Sequence, residues 1–270
     1  MYHQFNAAVC CSEINNIDST YAILERISFK QGFDGFESLV SEERFEKLKK
    51  DKRWLAILFK VEQNKKIVDK DIDLDLVNKL KVIRKEDGKY RGQYEIVKKK
   101  YGIESKELVE CNNLIKHMDS INSSKVEDIL DKYGWLGEKK ISFQGNKTLA
   151  LVIVHSRLSI QKKYLPMLKD AVKKSNALPE DLALLEDLIA VQEGRKQKYG
   201  TRVNQDYKTL EYFVEPLEDP DNVDKFREEV GLGPIAEYLK IWNIKWDIEQ
   251  YKKDLPEIQK ILNRDNGFEK

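Results

Sequence analysis

Residues 73–100 read DLDLVNKLKVIRKEDGKYRGQYEIVKKK, and the spacing within this stretch decides the fold class. Leu76, Leu80, Ile83, Tyr90, Tyr94 and Val97 recur at the three- and four-residue steps of a single helix face, while charged residues fill most other positions. No proline interrupts the run, and its Lys, Glu and Leu content favours helix. The spacing predicts one long helix from Asp73 to Lys100.

The same composition extends to both sides. Six prolines and thirteen glycines in 270 residues leave long unbroken segments. Upstream, Tyr21, Leu24 and Ile27 fall at helical spacing, Gly32 to Gly35 reads as a turn, and Ser41 opens a short helix carrying Phe45 and Leu48. Trp54, Leu55, Leu58 and Phe59 mark the next helix. Downstream, the capping box Ser124-Lys125-Val126-Glu127 predicts a helix start, with the stop near Gly134. Residues 135–145 read as loop or short strand. A helix is expected from an Asn146 cap to about Lys174, bent at Pro166, and another from Pro179 to Glu193, stopped by Gly194. Tyr199 to Val214 is the one extended stretch. Asp221 caps a short helix ended by Gly231, and Pro234 opens the last helix, which Pro256 kinks or restarts. The expectation is an all-α, multi-helix orthogonal bundle with a short hairpin-like excursion near 199–214. Residues 15–65 form an N-terminal short-helix packing or docking element, and 73–270 the main helical domain.

Composition narrows the function classes. Hydrophobic residues make up 41% and aromatics 10% of the chain, enough for a packed core. Charged residues reach 35% but nearly cancel, 48 Lys and Arg against 47 Asp and Glu, so the basic excess of a nucleic-acid protein is missing. The longest apolar run, Leu149 to Val154, is far too short to span a membrane. Three cysteines, two of them adjacent, make no disulfide framework. A soluble, cytoplasmic chain is expected. Ala7-Ala8-Val9-Cys10 loosely matches the end of a lipoprotein cleavage box, but the residues before it supply no apolar segment unless the start is truncated.

Polar residues set among apolar ones are the candidates for chemistry. His155 follows Leu151 and Val152, while Arg157 and Gln161 fall inside the apolar stripe of Ile153, Leu158, Tyr164 and Leu168. Burying such groups is costly unless their hydrogen bonds are met. Two readings follow: a structural network, or an imidazole acting as general acid or base in a helix-lined pocket. Asp187 has Ala183, Leu184, Ala190 and Val191 one turn away, but Glu186 is flanked just as apolarly, so periodicity leaves that choice open. The segment Gly194 to Thr201 is neither a P-loop nor a dinucleotide fingerprint. It is either a connecting loop or a turn presenting Gln197, Thr201 and backbone N–H groups to a ligand. His3, His117 and His155 lie far apart with no HExxH or CxxC pattern, so no metal and no cofactor is expected. Tyr238, Trp242 and Trp246 step by four and read as core.

Taken in order, Asp87 and Arg91, Asp119 and Asn122, Gly134 and Trp135, His155 and Gln161, Asp187, the Gly194, Gln197, Tyr199, Gly200 and Thr201 loop, and Arg227 before Gly231-Leu232 form a pattern. Across about residues 80–240 it resembles an uncharacterised bacterial domain-of-unknown-function family. The chain departs from that pattern at Gly88, Leu188 and Arg202, where the family tends to carry Gln, Arg and Gln. Phe45-x-x-Leu48-x-x-Asp51-x-Arg53-Trp54 resembles the closing helices of tetratricopeptide-type repeat proteins. The family resemblance implies that polar residues scattered along the chain come together.

The leading expectation is a metal-independent hydrolase or group transferase acting on a small molecule or peptide. His155 is its acid or base and Asp187 orients the ring or holds a substrate group. Arg91 and Arg227 clamp an anionic group, while Gln161, Gln197, Tyr199 and Thr201 position the ligand. The rival is a non-catalytic interaction module, with a protein partner docking on the N-terminal helices, in which the same residues fix helix register.

Overall fold

In the computed structural model, which describes residues 2–69 and 71–268, the chain is an all-α, multi-helix bundle with one two-stranded hairpin. It divides into two compact units, residues 1–73 and 74–270.

The first unit contains α1 (Tyr2–Glu13), α2 (Ile17–Glu25), α3 (Phe36–Ser41) and α4 (Lys52–Asp69). Helix α2 runs on into a single wide turn, Arg26–Lys30. The core gathers Tyr21, Leu24, Ile27, Phe45, Leu48, Trp54 and Ile57, with Phe5, Ala8 and Val9 added from α1, which lies outside the 15–65 element expected from sequence. Asn64 donates to the Ser28 and Phe33 carbonyls at 2.8 and 2.9 Å, meeting backbone groups that the wide turn leaves open. Asp51 accepts from the Arg53 N–H at 2.9 Å at the start of α4.

The second unit opens with α5 (Leu74–Tyr101) and α6 (Lys106–Tyr133), each 28 residues long and packed along one another. Then come α7 (Glu138–His155), α8 (Leu158–Lys173), α9 (Pro179–Gln192), strands β1 (Val203–Gln205) and β2 (Tyr212–Val214), α10 (Val223–Glu229), α11 (Ile235–Leu239) and α12 (Ile248–Phe268). The strands pair antiparallel, Val203 opposite Val214 and Gln205 opposite Tyr212, inside the stretch read as extended. One core lies between α5, α6, α7, α8 and α9. A smaller one, around Leu217, Ile235, Leu239 and Tyr251, sits under the hairpin and takes in Tyr238, Trp242 and Trp246.

Several local expectations are corrected. Ser124 lies within continuous α6, whose N-cap is Ser105 accepting from the Leu108 N–H at 3.2 Å. A capping box marks a start only where the preceding residues leave the helix, and here they do not. Residues 138–145 are helical, kinked at Ser142, whose hydroxyl accepts from the Gly145 N–H at 3.2 Å. Ser142 thus takes the capping role, and Asn146 instead donates to the Leu136 and Asn176 carbonyls at 2.7 and 2.6 Å. Pro166 sits inside unbroken α8, where the Lys162 carbonyl it frees is on the exposed side. The break falls earlier, at Ser156 and Arg157, both extended with ψ 164° and 153°. The last expected helix is two, α11 and α12, separated by a left-handed Asn243 with φ 57°.

Candidate functional site

On the α5 stripe the position between Ile83 and Tyr90 is occupied by Asp87, which is consequently buried with Leu76, Leu80 and Ile83. Across from it, α7 ends at His155 because the next two residues are extended. Ser156 closes the helix by donating its hydroxyl proton to the Val152 carbonyl at 2.7 Å. Gln161, from the first turn of α8, donates to the Val154 and Ser156 carbonyls at 3.0 and 2.7 Å, while its oxygen accepts from Gln192 at 3.3 Å. Gln161 is thereby committed to holding the α7–α8 corner.

At that corner the His155 Nδ1 lies 2.9 Å from Asp87 Oδ1. A carboxylate can only accept, so Nδ1 is the donor, and Nε2 makes no hydrogen bond to the described residues. The carboxylate is 3% exposed and the imidazole 21%, the latter opening on a cleft of about 480 Å³. One wall of the cleft is a face of α6 carrying Lys116, Asp119, Ser120, Ser123, Ser124 and Glu127. The other wall is His155, Ser156, Arg157 and Ile160. Arg91, one turn beyond Asp87, donates to Asp119 and places its Nε 3.7 Å from Asp87 Oδ2. Its guanidinium therefore separates two carboxylates that would otherwise repel each other. Asn122 is fully buried. With its nitrogen 3.2 Å from Glu86 Oε2 and its oxygen 3.3 Å from the Asp87 N–H, it ties α6 to α5, as Lys125 does through Glu86 at 2.6 Å.

The cleft serines are not paired with the imidazole. Ser123 and Ser156 share a hydrogen bond of 2.7 Å, and since Ser156 donates to Val152, Ser123 donates to Ser156. Among the described residues no hydroxyl or thiol is bonded to His155.

Asp187 occupies a different place. It is 1% exposed, and its two oxygens accept from the Lys198, Tyr199 and Thr201 N–H groups and the Thr201 hydroxyl, at 2.8 to 3.2 Å. Gln197, fully buried, donates to the Arg202 and Glu215 carbonyls and accepts from the Arg202 N–H, at 2.8 to 2.9 Å. Arg227 donates to the Gly233 and Tyr199 carbonyls at 2.6 and 2.8 Å and lies over the Tyr238 ring, whose hydroxyl donates to the Thr201 carbonyl at 2.9 Å. Burial lowers the Arg227 pKa and pushes the Tyr199 phenol up to about 12, Glu186 and Asp187 adding to the latter. Asp187 and Tyr199 also border a separate cleft of about 340 Å³ together with Lys196 and Lys198.

Apart from Gln161 at the α7–α8 corner, the predicted site residues fall into two groups. His155 and Arg91 belong to one cluster with Asp87 and Asp119, while Asp187, Gln197, Tyr199, Thr201 and Arg227 knot the 194–202 loop to α9 and α10. The structure does not bring Asp187 to His155, because every hydrogen bond of that carboxylate goes to the loop. Spacing left open whether Asp187 or Glu186 faces the apolar layer, and it did not show what the partner is. Asp87, which orients the ring, was not among the expected site residues, although it opens the family pattern and interrupts an otherwise apolar stripe.

The fold and this site define the class: a helical-bundle protein whose second unit presents a carboxylate-oriented histidine on a polar cleft. The chain belongs to a family of unknown function, DUF6624, whose profile matches residues 75–249 and so spans both polar clusters. Searches of the curated proteins and of the solved structures found no match. No helix among the described residues is long and apolar enough to cross a membrane.

Proposed function

We propose that the chain is an acid–base enzyme, a hydrolase or group transferase, with His155 as the general base and Asp87 as the residue that positions it. The 2.9 Å contact between Asp87 and His155 Nδ1, with Nε2 open to the cleft, carries this reading. In the reaction, Nε2 takes a proton from water or a substrate hydroxyl as its oxygen attacks the substrate. The imidazolium so formed is stabilised by Asp87, and the proton is then returned to the departing group. Arg91 reaches both the Asp87 and the Asp119 carboxylates. No resident metal or cofactor enters this scheme.

One observation favours a second reading. Single ligating atoms of Asp87, Asp119 and His155 lie within 4.8 Å of one another, close enough to share a divalent cation. Arg91 already lies against both carboxylates, so a cation there would have to displace it.

The test is a screen of chromogenic ester, amide and phosphoester substrates with the wild type, His155→Asn and Asp87→Asn, with and without a chelator, alongside long-range ¹H–¹⁵N spectra of the imidazole. The acid–base reading expects the Nδ1–H tautomer and a loss of about 10²- to 10⁴-fold in turnover for His155→Asn, unaffected by the chelator. An Nε2–H tautomer, or full turnover in His155→Asn, would overturn it. Loss of turnover on chelation, restored by Mn²⁺ or Zn²⁺, would favour the metal.

A further inference from the structure

The cleft holds an imbalance of charge that the acid–base reading leaves unused. Both carboxylates in its walls already have cations of their own: Asp119 is paired with Arg91, and Glu127 with Lys163 at 3.4 Å. Neighbouring cations are likewise committed, Lys125 to Glu86 and Lys162 to Glu193, both at 2.6 Å. Lys116 and Arg157 differ. Both line the cleft, both are exposed, and neither has an ion pair or hydrogen bond with the described residues. They lie on opposite walls, Lys116 on α6 and Arg157 beside His155 at the α7–α8 corner. Along α6 from Lys116 come the exposed hydroxyls of Ser120 and Ser124, which also line the cleft and have no hydrogen-bond partners among the described residues. Positions 116, 120, 124 and 127 step by four, four and three, so one helix face presents the cation and both hydroxyls to the same space.

Two cations and two hydroxyl donors around a space of this size are the complement of a small oxyanion. Arg offers a planar fork matched to carboxylate or phosphoryl oxygens, and Lys a point charge. We propose that Arg157 and Lys116, with Ser120 and Ser124, form the subsite that seats an anionic group of the substrate, phosphoryl or carboxylate, next to His155. This deepens the acid–base reading of the same cleft and rests on it for the word substrate. The binding itself does not require it.

The experiment titrates the full chain at low salt with phenyl phosphate and, separately, with benzoate, following the imidazole resonances of His155 and the thermal midpoint. The proposal expects a saturable response to at least one probe, weakened about tenfold or more in Arg157→Gln and several-fold in Lys116→Gln. Both variants should retain the wild-type urea midpoint, since neither side chain is buried or bonded. Which probe binds tells phosphoryl from carboxylate recognition. The absence of a saturable response to either probe at tens of millimolar would overturn the proposal. So would a response unchanged in the Arg157→Gln, Lys116→Gln double variant. His155→Asn separates the two readings: probe binding seen as a thermal shift should survive in it. If that variant also keeps its turnover, the acid–base reading falls while the anion subsite stands.

Discussion

Asp87 and Asp187 are both almost fully buried, and both sit one helical turn from apolar residues, yet they do opposite work. Asp187 receives four donors from one loop, so its removal orphans several buried N–H groups at about 1–3 kcal/mol each. Asp187→Ala is expected to lower the free energy of unfolding by at least about 3 kcal/mol in urea titrations. His155 has one hydrogen bond and a partly exposed ring, but that bond serves the buried Asp87 carboxylate, so His155→Ala should cost about 1–2 kcal/mol, clearly less than Asp187→Ala. Equal losses in the two variants would mean that the imidazole is structural, and the interaction-module reading would gain.

At the scale of elements, two short interruptions decide where the functional groups stand. The extended pair Ser156–Arg157 ends α7 at His155 and turns α8 so that Arg157 opens onto the cleft instead of continuing the stripe on which its spacing had placed it. The other is the loop after α9. Gly200 has φ +66°, and a Cβ there would stand 2.6 Å from Ile235 Cδ1, itself fully buried. Gly200→Ala therefore combines left-handed backbone strain with overpacking, and a loss of about 2–4 kcal/mol is expected. Calorimetry that found Gly200→Ala as stable as the wild type would show that the loop is not pinned against α11.

For the whole molecule, the near cancellation of 48 positive and 47 negative residues is spent largely on surface pairs, each worth roughly 0–1 kcal/mol and screened by salt. The pH dependence of stability consequently rests on a few buried groups. Glu215, at the end of β2, is one: burial raises its pKa from the ordinary 4.5, with the Arg202 charge and the Asn204 hydrogen bond pulling the other way. The folded state holds that proton more tightly than the unfolded chain. Its contribution is thus greatest below the ordinary value and is lost as pH rises through the folded value. Asp206 acts in the opposite sense, its pKa lowered first by the Lys208 N–H and then by Arg264, and it adds stability as pH rises. Glu215→Gln should accordingly gain on the wild type as pH increases from about 4 to 7, the neutral amide having no charge to bury. Urea midpoints measured across that range check this, and a constant difference would contradict it.

The element plan was legible because helix formation is a local matter of period and punctuation. The 73–100 stripe became α5, Pro179 and Gly194 bracket α9, and the extended stretch holds the two strands. Where one local signal met another, packing decided: Ser124 stayed inside α6, and Pro166 left α8 whole. The sequence by itself determined that the chain is all-α and that Gln161 lies on an apolar stripe. It also held the clue that Asp87 breaks an apolar stripe. Only the tertiary structure decided that His155 meets Asp87, 68 residues away, and that Asp187 serves a loop. Periodicity fixes which face of a helix a side chain occupies, but the partner on the opposing face is chosen by how helices distant in sequence pack.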